Sequence, residues 1–507
     1  MTETTNSFEK HRTIIVITVL LGMFCASMEA MVTATLMPSI LSSMSGGFNL
    51  YPWVPASYLL ASVTASPLFG ALADIYGYKR IYRLALVIFL LGSALCGFSS
   101  SMQELIAARA VQGLGSAGLI SLSVILFGVI FPVEQRAKMQ ACISGTWAIS
   151  SILGPTIGAL SVEYFSWRWA FFINVPCALV ILAATMRFGN LSTGTGTRKL
   201  DWMGSALFCL ATGPTVAMLL SAGQLHFGMP ETFAAIIGIT FTVLFLRHLR
   251  SSSDPLIPVS LFKNRVAGIS VTMVAIVGGL LFSVVNFLPL FVQGVMGLPP
   301  RTAGYVVTVV AVGMFFGSVV SGLLLNRIGF RRMATIGAVL IAVGFAGLAM
   351  VLEDAVIWQL VICNSCIGVG LAIISNTLIV AMQAIATNHT IGSASSLMHF
   401  FRMFGGTVFI ALMGGIQLGS FRRDIQSWLG SKELFGAAHE IFEAPQKIFD
   451  PLERQAITLE TLSSLAHSLM QSLQYVFFAC LVAAFVLFWL ASRMPTLTPK
   501  QLVDEES

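Results

Sequence analysis

The stretch 14–41 reads IIVITVLLGMFCASMEAMVTATLMPSIL. A bilayer's hydrocarbon core is crossed by about 20 predominantly apolar residues of helix, so this run is long enough to span it. One carboxylate, Glu29, stands in its middle among apolar and small residues. Inserting an ionisable group at that depth costs roughly 2.5–3.5 kcal/mol. Such groups face a bundle interior and mark ion or substrate paths. The run is longer than the apolar core of a signal peptide, and no cleavable leader is expected.

The rest of the chain has the same character. Of its 507 residues 56% are hydrophobic and only 10% charged, against about 25% charged in soluble domains. The expected fold class is therefore all-α: a polytopic membrane protein. Apolar runs separated by Gly, Pro and charge clusters predict about fourteen helices. They fall near 14–41, 53–73, 81–99, 103–131, 138–161, 169–188, 201–221, 231–249, 265–292, 302–325, 333–352, 355–383, 393–419 and 471–493. An even number puts both termini on one side. That side carries most of the 28 basic residues: Lys10 and Arg12, then Lys79, Arg80 and Arg83, then Arg136 and Lys138. It continues with Arg187, Arg198, Lys199, Arg247, Arg250, Lys263, Arg265, Arg327, Arg331, Arg332, Arg493 and Lys500. Short loops on the opposite side hold only Arg168 and Arg301. By the positive-inside rule both termini face the cytoplasm. The net charge of +6 thus records topology, and no nucleic-acid partner is implied.

The acid-rich stretch 420–470 is the sizeable region outside these crossings; it faces outward and carries no readable motif. Sequons at Asn190 and Asn388 fall on the cytoplasmic side and are expected to be silent. The eight cysteines, including Cys363-Asn-Ser-Cys366, lie in or beside apolar runs. They read as small packing residues, and no disulfide framework or metal site follows.

An internal repeat stands out. Gly70-Ala-Leu-Ala-Asp74-Ile-Tyr-Gly77-Tyr-Lys79-Arg80 is matched, at the same spacing, by Gly322-Leu-Leu-Leu-Asn326-Arg327-Ile-Gly329-Phe-Arg331-Arg332. Repeats of this kind build transporters from two bundles that rock about a central site.

The first copy resembles the loop signature of the major facilitator superfamily, G-x-L-a-D-r-x-G-r-r. MEAMVTATLMP around Glu29 looks like the acidic first-helix segment of the fourteen-helix drug:proton antiporters, with Glu29 on the acidic position and Pro38 on the proline. WVPASYLL (53–60), RAVQGLGSAG (109–118), WRWAFFINVP (167–176), LDWMG (200–204), DPLIPVSLFKNR (254–265), LPLFVQGVMG (288–297) and FRMFGGTVFIAL (401–412) follow that family in order. Ser150-Ser-Ile-Leu-Gly154-Pro155-Thr-Ile-Gly158-Ala159 resembles its exporter signature, with two glycines replaced by Ser150 and Ala159. The resemblance runs from about residue 14 to 495.

Several roles follow. Burial disfavours the ionised form of Glu29, which suits it to carry a proton; when ionised it would attract a cationic cargo. The bland alternative is a protonated acid bonded to a neighbouring helix. The family's usual residue is Asp, and its Thr and Asn nearby are replaced by Met31 and Ala34. Arg109, a guanidinium inside the fourth crossing, needs a partner there. The resemblance implies that it assists proton transfer; alternatively Gln112 and backbone carbonyls hold it as a fixed charge. His399 and Arg402 form a possible second proton group, with a structural role the stronger reading. By resemblance, Asp74 pins a cytoplasmic gate, pairing with an Arg and with a helix N-terminus in the other bundle. Gly70, Gly77, Lys79, Arg80, Asn326, Arg327 and Arg331 belong to the same gate. Gly154, Pro155 and Gly158 let two helices approach closely and bend.

Met28, Trp147, Phe282, Asn286, Gln293, Asn376 and Met398 could line a cargo cavity or simply pack. The expected organisation is a six-helix bundle over 1–195, an inserted helix pair over 196–250 and a second bundle over 251–507. The expected function is proton-coupled efflux of amphipathic, cationic drugs or toxic compounds by alternating access. The expected setting is a bacterial inner membrane, with the chain a monomer that uses no cofactor. No G-x-x-x-x-G-K-S/T phosphate loop occurs. The rivals are an exporter of one metabolite, lipid or siderophore, a polytopic membrane enzyme, and a redox-linked antiporter subunit. The last two need more intramembrane charge than Glu29, Arg109 and Arg402 supply.

Overall fold

In hydrocarbon each backbone N–H and C=O must find its partner within the segment or in a closed barrel, and here the apolar runs fold as helices. The computed structural model describes residues 2–44, 53–186, 201–222, 229–252, 264–298, 300–351, 356–386, 391–429 and 459–496. In order the helices are α1 Thr2–Ser43, α2 Trp53–Tyr76, α3 Tyr78–Phe98, α4 Met102–Ile130, α5 Val133–Tyr164, the short α6 Trp169–Phe172 and α7 Asn174–Met186. There follow α8 Trp202–Ala222, α9 Met229–Ser251, α10 Arg265–Leu290, a π turn at Phe291–Val295, α11 Pro300–Ala349, α12 Ile357–Ile385, α13 Ile391–Leu429 and α14 Leu459–Ser492. No strand occurs among the described residues.

Twelve helical segments among the described residues are long and apolar enough to cross a membrane. One of them, Thr302–Ala349, is 48 residues long, about 72 Å at 1.5 Å per residue, more than twice a hydrocarbon core of about 30 Å. It breaks at Gly329, whose φ of 80° and ψ of 171° are not helical, and so supplies two of the expected crossings. The uncharged, 21-residue α8 packs along α9 and stands where the sequence expects the remaining one.

Two boundaries differ from expectation. The non-membrane stretch expected at 420–470 is narrowed at both ends, because α13 continues to Leu429 and α14 starts at Leu459. At 39 and 34 residues both helices exceed what a bilayer requires. Asn190 and Asn388 lie outside the described residues.

Apolar packing follows the repeat. One core joins α10 to α14; a second joins α1 to α5 and α7; a third, with Val32, Leu36, Trp167 and Phe171, closes the N-terminal helices at the end away from the chain termini. The α8–α9 pair rests on both α2 and α13, Phe208 meeting Phe245 at 5.4 Å and Phe400 at 5.0 Å between ring centroids. Within the N-terminal helices α4 is central. Gly113 and Gly115 leave room for the backbones of Tyr58 and Phe89, the close approach that small residues permit between membrane helices. At the head of α4, Ser101 accepts from the Glu104 N–H while the Glu104 carboxylate accepts from the Ser100 N–H, a capping arrangement close to the S-x-x-E box.

The two repeat copies also share a backbone turn. Gly77, at φ 88° between α2 and α3, and Gly329, at φ 80° within α11, occupy a region that a side chain enters only with strain of about 1–3 kcal/mol. Gly329→Ala is expected to lower the thermal unfolding midpoint of the purified chain by several degrees. Gly268→Ala, where an added methyl meets nothing within 4 Å, should leave it unchanged. Equal midpoints for the two variants would remove the strain argument.

Candidate functional site

Glu29 and Arg109 meet. The side chains are 0% and 1% exposed and form an ion pair at 2.9 Å. The second Glu29 oxygen accepts from the Asn174 amide of α7 at 2.6 Å. Arg109 donates also to Gln112 Oε1 at 2.7 Å, and Gln112 in turn donates to Ser93 of α3. The guanidinium lies over the Tyr58 ring, 4.2 Å from its centroid, a cation–π contact. The Tyr58 hydroxyl is shared between the Ala26 carbonyl of α1 and Ser116 of α4. A single buried network therefore ties α1, α2, α3, α4 and α7 together. The polar partner that Met31 and Ala34 do not provide on α1 arrives from α7. Asn174 and Tyr58 were not singled out in the sequence; their signal was present only inside the WRWAFFINVP and WVPASYLL segments.

Asp74 lies at the end of α2 on the side that carries the chain termini. Its carboxylate accepts from the backbone N–H groups of Gly392 and Ser393 at 3.1 and 2.9 Å, and from the Ser393 hydroxyl at 2.9 Å. These are the first residues of α13, so an acid of one bundle caps a helix of the other, as helix N-termini favour. The Tyr78 hydroxyl donates a further bond. Gly70 permits the approach, since a methyl there would strike Ser396 and the Gly392 carbonyl. Arg136 adds a second lock by donating to the Gln383 carbonyl of α12 at 3.0 Å, and Ser318 a third by donating to Ser144 at 2.5 Å. The second repeat copy behaves differently. Arg331 donates to the Met494 carbonyl at 2.7 Å, tying α11 to the end of α14 within its own bundle. Arg80 and Arg327 are exposed, and Lys79 and Asn326 are half-buried.

Between the bundles lies a cavity of about 40 Å³, room for a few water molecules. Trp147, Asn376, Met398, His399 and Arg402 line it, with Gln140 and Ser375 beside them. Arg402 meets His399 Nδ1 at 3.3 Å. Four polar atoms on this wall find no partner among the described residues: Gln140 Nε2, Ser375 Oγ, Asn376 Nδ2 and Arg402 Nε. The other expected lining residues lie elsewhere. Met28 is buried, with its carbonyl against Gly154 of α5. Phe282 covers Gly406, the exposed Asn286 gives its amide to the Phe282 carbonyl, and Gln293 sits in the π turn after α10. Glu29 is not on the cavity wall either. Gly154 brings α5 against Met31 of α1, where an added methyl would lie 2.9 Å from the Met31 Cβ. Gly158 is buried, and the Pro155 side chain lies outside the described residues. All eight cysteines are free.

The sequence model of the Major Facilitator Superfamily matches residues 19–410. Multidrug resistance protein 3 of Bacillus subtilis (strain 168) is 29% identical over 505 residues, which cover 97% of this chain and 98% of that protein. Multidrug transporter protein MdtP of the same organism is 30% identical over 419 residues, 80% of this chain and 76% of that one. Among solved structures, the proton:xylose symporter XylE superposes with a TM-score of 0.63 at 15% identity, over 98% of this chain and all of that one.

Two outcomes follow from this geometry. Arg109→Met strands a buried carboxylate and is expected to cost about 3–5 kcal/mol, whereas adding Glu29→Gln should recover much of the loss. Unfolding of the four chains of this cycle in one detergent reads the coupling, and strictly additive losses would deny it. At the contact between the bundles, Asp74→Ala removes the cap from α13. Ser396→Cys, in a chain whose eight native cysteines are replaced by serine, should then react faster with a polar thiol reagent. An unchanged rate would mean that Asp74 does not hold the bundles together.

Proposed function

The chain belongs to the major facilitator superfamily, and on that premise we propose that it exports amphipathic compounds in exchange for protons by alternating access. It is a multi-pass membrane transporter and not an enzyme. Its two bundles span 1–195 and 251–507 around an inserted pair, and it works as a monomer in a bacterial plasma membrane with both termini in the cytoplasm. The observation that carries the coupling is the sealed Glu29–Arg109 pair. A proton on Glu29 cancels the attraction that holds Arg109 and leaves the guanidinium with Gln112 and the Tyr58 ring. The network joins five helices, so a change at one carboxylate is felt by the whole N-terminal bundle. A proton taken up from one side and released to the other would bias which end of the bundle is shut.

The gate residues supply the other half. With Asp74, Arg136 and Ser144 engaged across the interface, the cytoplasmic end is closed in this conformation. The small cavity beyond it must widen for cargo to enter, through separation of the same contacts. Relatives named for multidrug resistance and transport support drugs or toxic compounds as cargo.

A second reading of the cargo has its own observation. The cavity wall carries Arg402 with an unpartnered Nε and the unpartnered Asn376 amide, and no carboxylate among its described residues. Such a wall suits a cargo that brings acceptors, a neutral amphiphile or an organic anion, better than a cation. This favours, on the same scaffold, an exporter of an endogenous amphipathic acid. Proteoliposomes with an imposed pH gradient test both readings, with a fluorescent lipophilic cation and an amphipathic carboxylate offered in turn. The parent chain is expected to move at least one of them. Glu29→Gln should bind that cargo yet lose gradient-driven movement down to the rate of empty liposomes. Arg402→Gln should abolish carboxylate movement if the second reading holds and spare cation movement if the first does. Undiminished gradient-driven transport by Glu29→Gln would sink the coupling assignment.

A further inference from the structure

The inserted pair and the C-terminal bundle enclose a second cavity that transport by the central site does not use. It lies between α8, α9 and α13, on the side of α13 away from His399 and Arg402, and has a volume of about 450 Å³. We propose that this crevice holds one acyl chain of an anionic phospholipid from the leaflet on the terminus side, with the phosphate at Arg250.

The walls are hydrocarbon and aromatic: Phe208 and Ala211 from α8, Phe245 from α9, and Phe400, Phe401 and Phe404 from α13. Three hydroxyls also face it, but none of them is left wanting. Thr212 donates to the Phe208 carbonyl, Thr215 to that of Ala211 and Thr242 to that of Gly238, at 2.7–2.8 Å. An occupant with internal polar groups would find no partners here, whereas a lipid tail requires none. From Thr242 to Arg250 the crevice follows α9 for eight residues, about 12 Å, close to the depth of one leaflet's hydrocarbon, half of about 30 Å.

The mouth is cationic. Arg250 stands in the last turn of α9 at the membrane surface and lines the crevice; Arg247 is exposed one turn before it. Neither forms an ion pair among the described residues. Asp201, an acid at this end, is engaged by His248 at 2.8 Å and by the Gly204 N–H at 2.7 Å. The same contacts fasten α8 to α9 and keep the mouth in shape. A tail-shaped apolar slot that opens in the plane of the headgroups beneath an exposed arginine matches an anionic phospholipid at both ends. A lipophilic cation would meet repulsion at the mouth. The occupied crevice would press on Phe400 and Phe404, on the same turns of α13 that present His399 and Arg402 to the central cavity.

Native mass spectrometry of the detergent-solubilised full chain tests this, with phosphatidylglycerol and phosphatidylcholine of equal chain length offered in competition. One phosphatidylglycerol should be retained with a preference of about fivefold, the value of one basic residue near a surface, about 1 kcal/mol. Arg250→Gln, a change at an exposed position, should bring that preference close to one. Ala211→Trp, which fills the slot, should remove the retained lipid of either kind. An unchanged preference in Arg250→Gln, or a retained lipid in Ala211→Trp, would overturn the assignment. So would displacement of the lipid by a lipophilic cation, which would make the crevice a cargo site.

Discussion

A charge withdrawn from water into a protein within a membrane has to be matched by another charge and by hydrogen bonds, or the site does not form. The N-terminal bundle is arranged around that constraint. Glu29 and Arg109 neutralise each other at 2.9 Å, and the remaining lone pairs and donors are taken by Asn174, Gln112 and the Tyr58 ring. Each partner comes from a different element or turn, so the pair fixes the mutual positions of helices that lipid-like packing alone would leave free to slide. A buried network of this kind, in which Asn174 Oδ1 alone of the named members' polar atoms lacks a partner among the described residues, favours one arrangement and resists partial change. The same property makes it suited to respond as a unit when one proton is added.

The buried guanidinium of the C-terminal bundle has no carboxylate partner among the described residues. Arg402 and His399 touch at 3.3 Å, but Arg402 keeps an unpartnered Nε, and Asn376 and Ser375 across the cavity are unpartnered as well. Unmet polar groups in a buried place are costly, and they mark where a guest would be stabilised. The asymmetry is informative. The N-terminal bundle carries the ion pair suited to holding a proton, while the open polar atoms suited to meeting a cargo gather on the central cavity wall, from Gln140 of α5 as well as from Ser375, Asn376 and Arg402. The repeat copies diverge in parallel. Asp74 reaches across to α13, while Arg331 in the second copy reaches only to the end of α14.

Much of this was legible in the chain because bilayer crossings leave long apolar runs and because a lone Glu or Arg inside them is conspicuous. Glu29 and Arg109 could be picked out that way, and Asp74, Gly77 and Gly329 from the internal repeat, whereas the positive φ of Gly297 had no such signal. What could not be picked out was chosen by tertiary contact. Asn174 looks like any asparagine near a helix start until α7 packs on α1. Arg136 counts only as a topology charge until its guanidinium meets Gln383. Phe282 and Asn286 have the chemistry of lining residues, yet one packs on Gly406 and the other bonds its own helix. Side-chain type decides what a residue can do, and the direction in which its helix faces decides whether it does so.

That direction matters most on α13. Its first residues cap on Asp74, its middle presents Met398, His399 and Arg402 to the central cavity, and the opposite face of the same turns lines the crevice against the inserted pair. A helix is stiff along its axis, so these three stations cannot move independently. On the proposed mechanism, release of the N-terminus from Asp74 would shift the cavity-lining turn and the phenylalanines behind it together. The inserted pair then has a physical role beyond adding crossings. By covering the back of α13 it sets the surroundings against which that helix must move, and Phe208, wedged between Phe245 and Phe400, is where the two bodies press on one another.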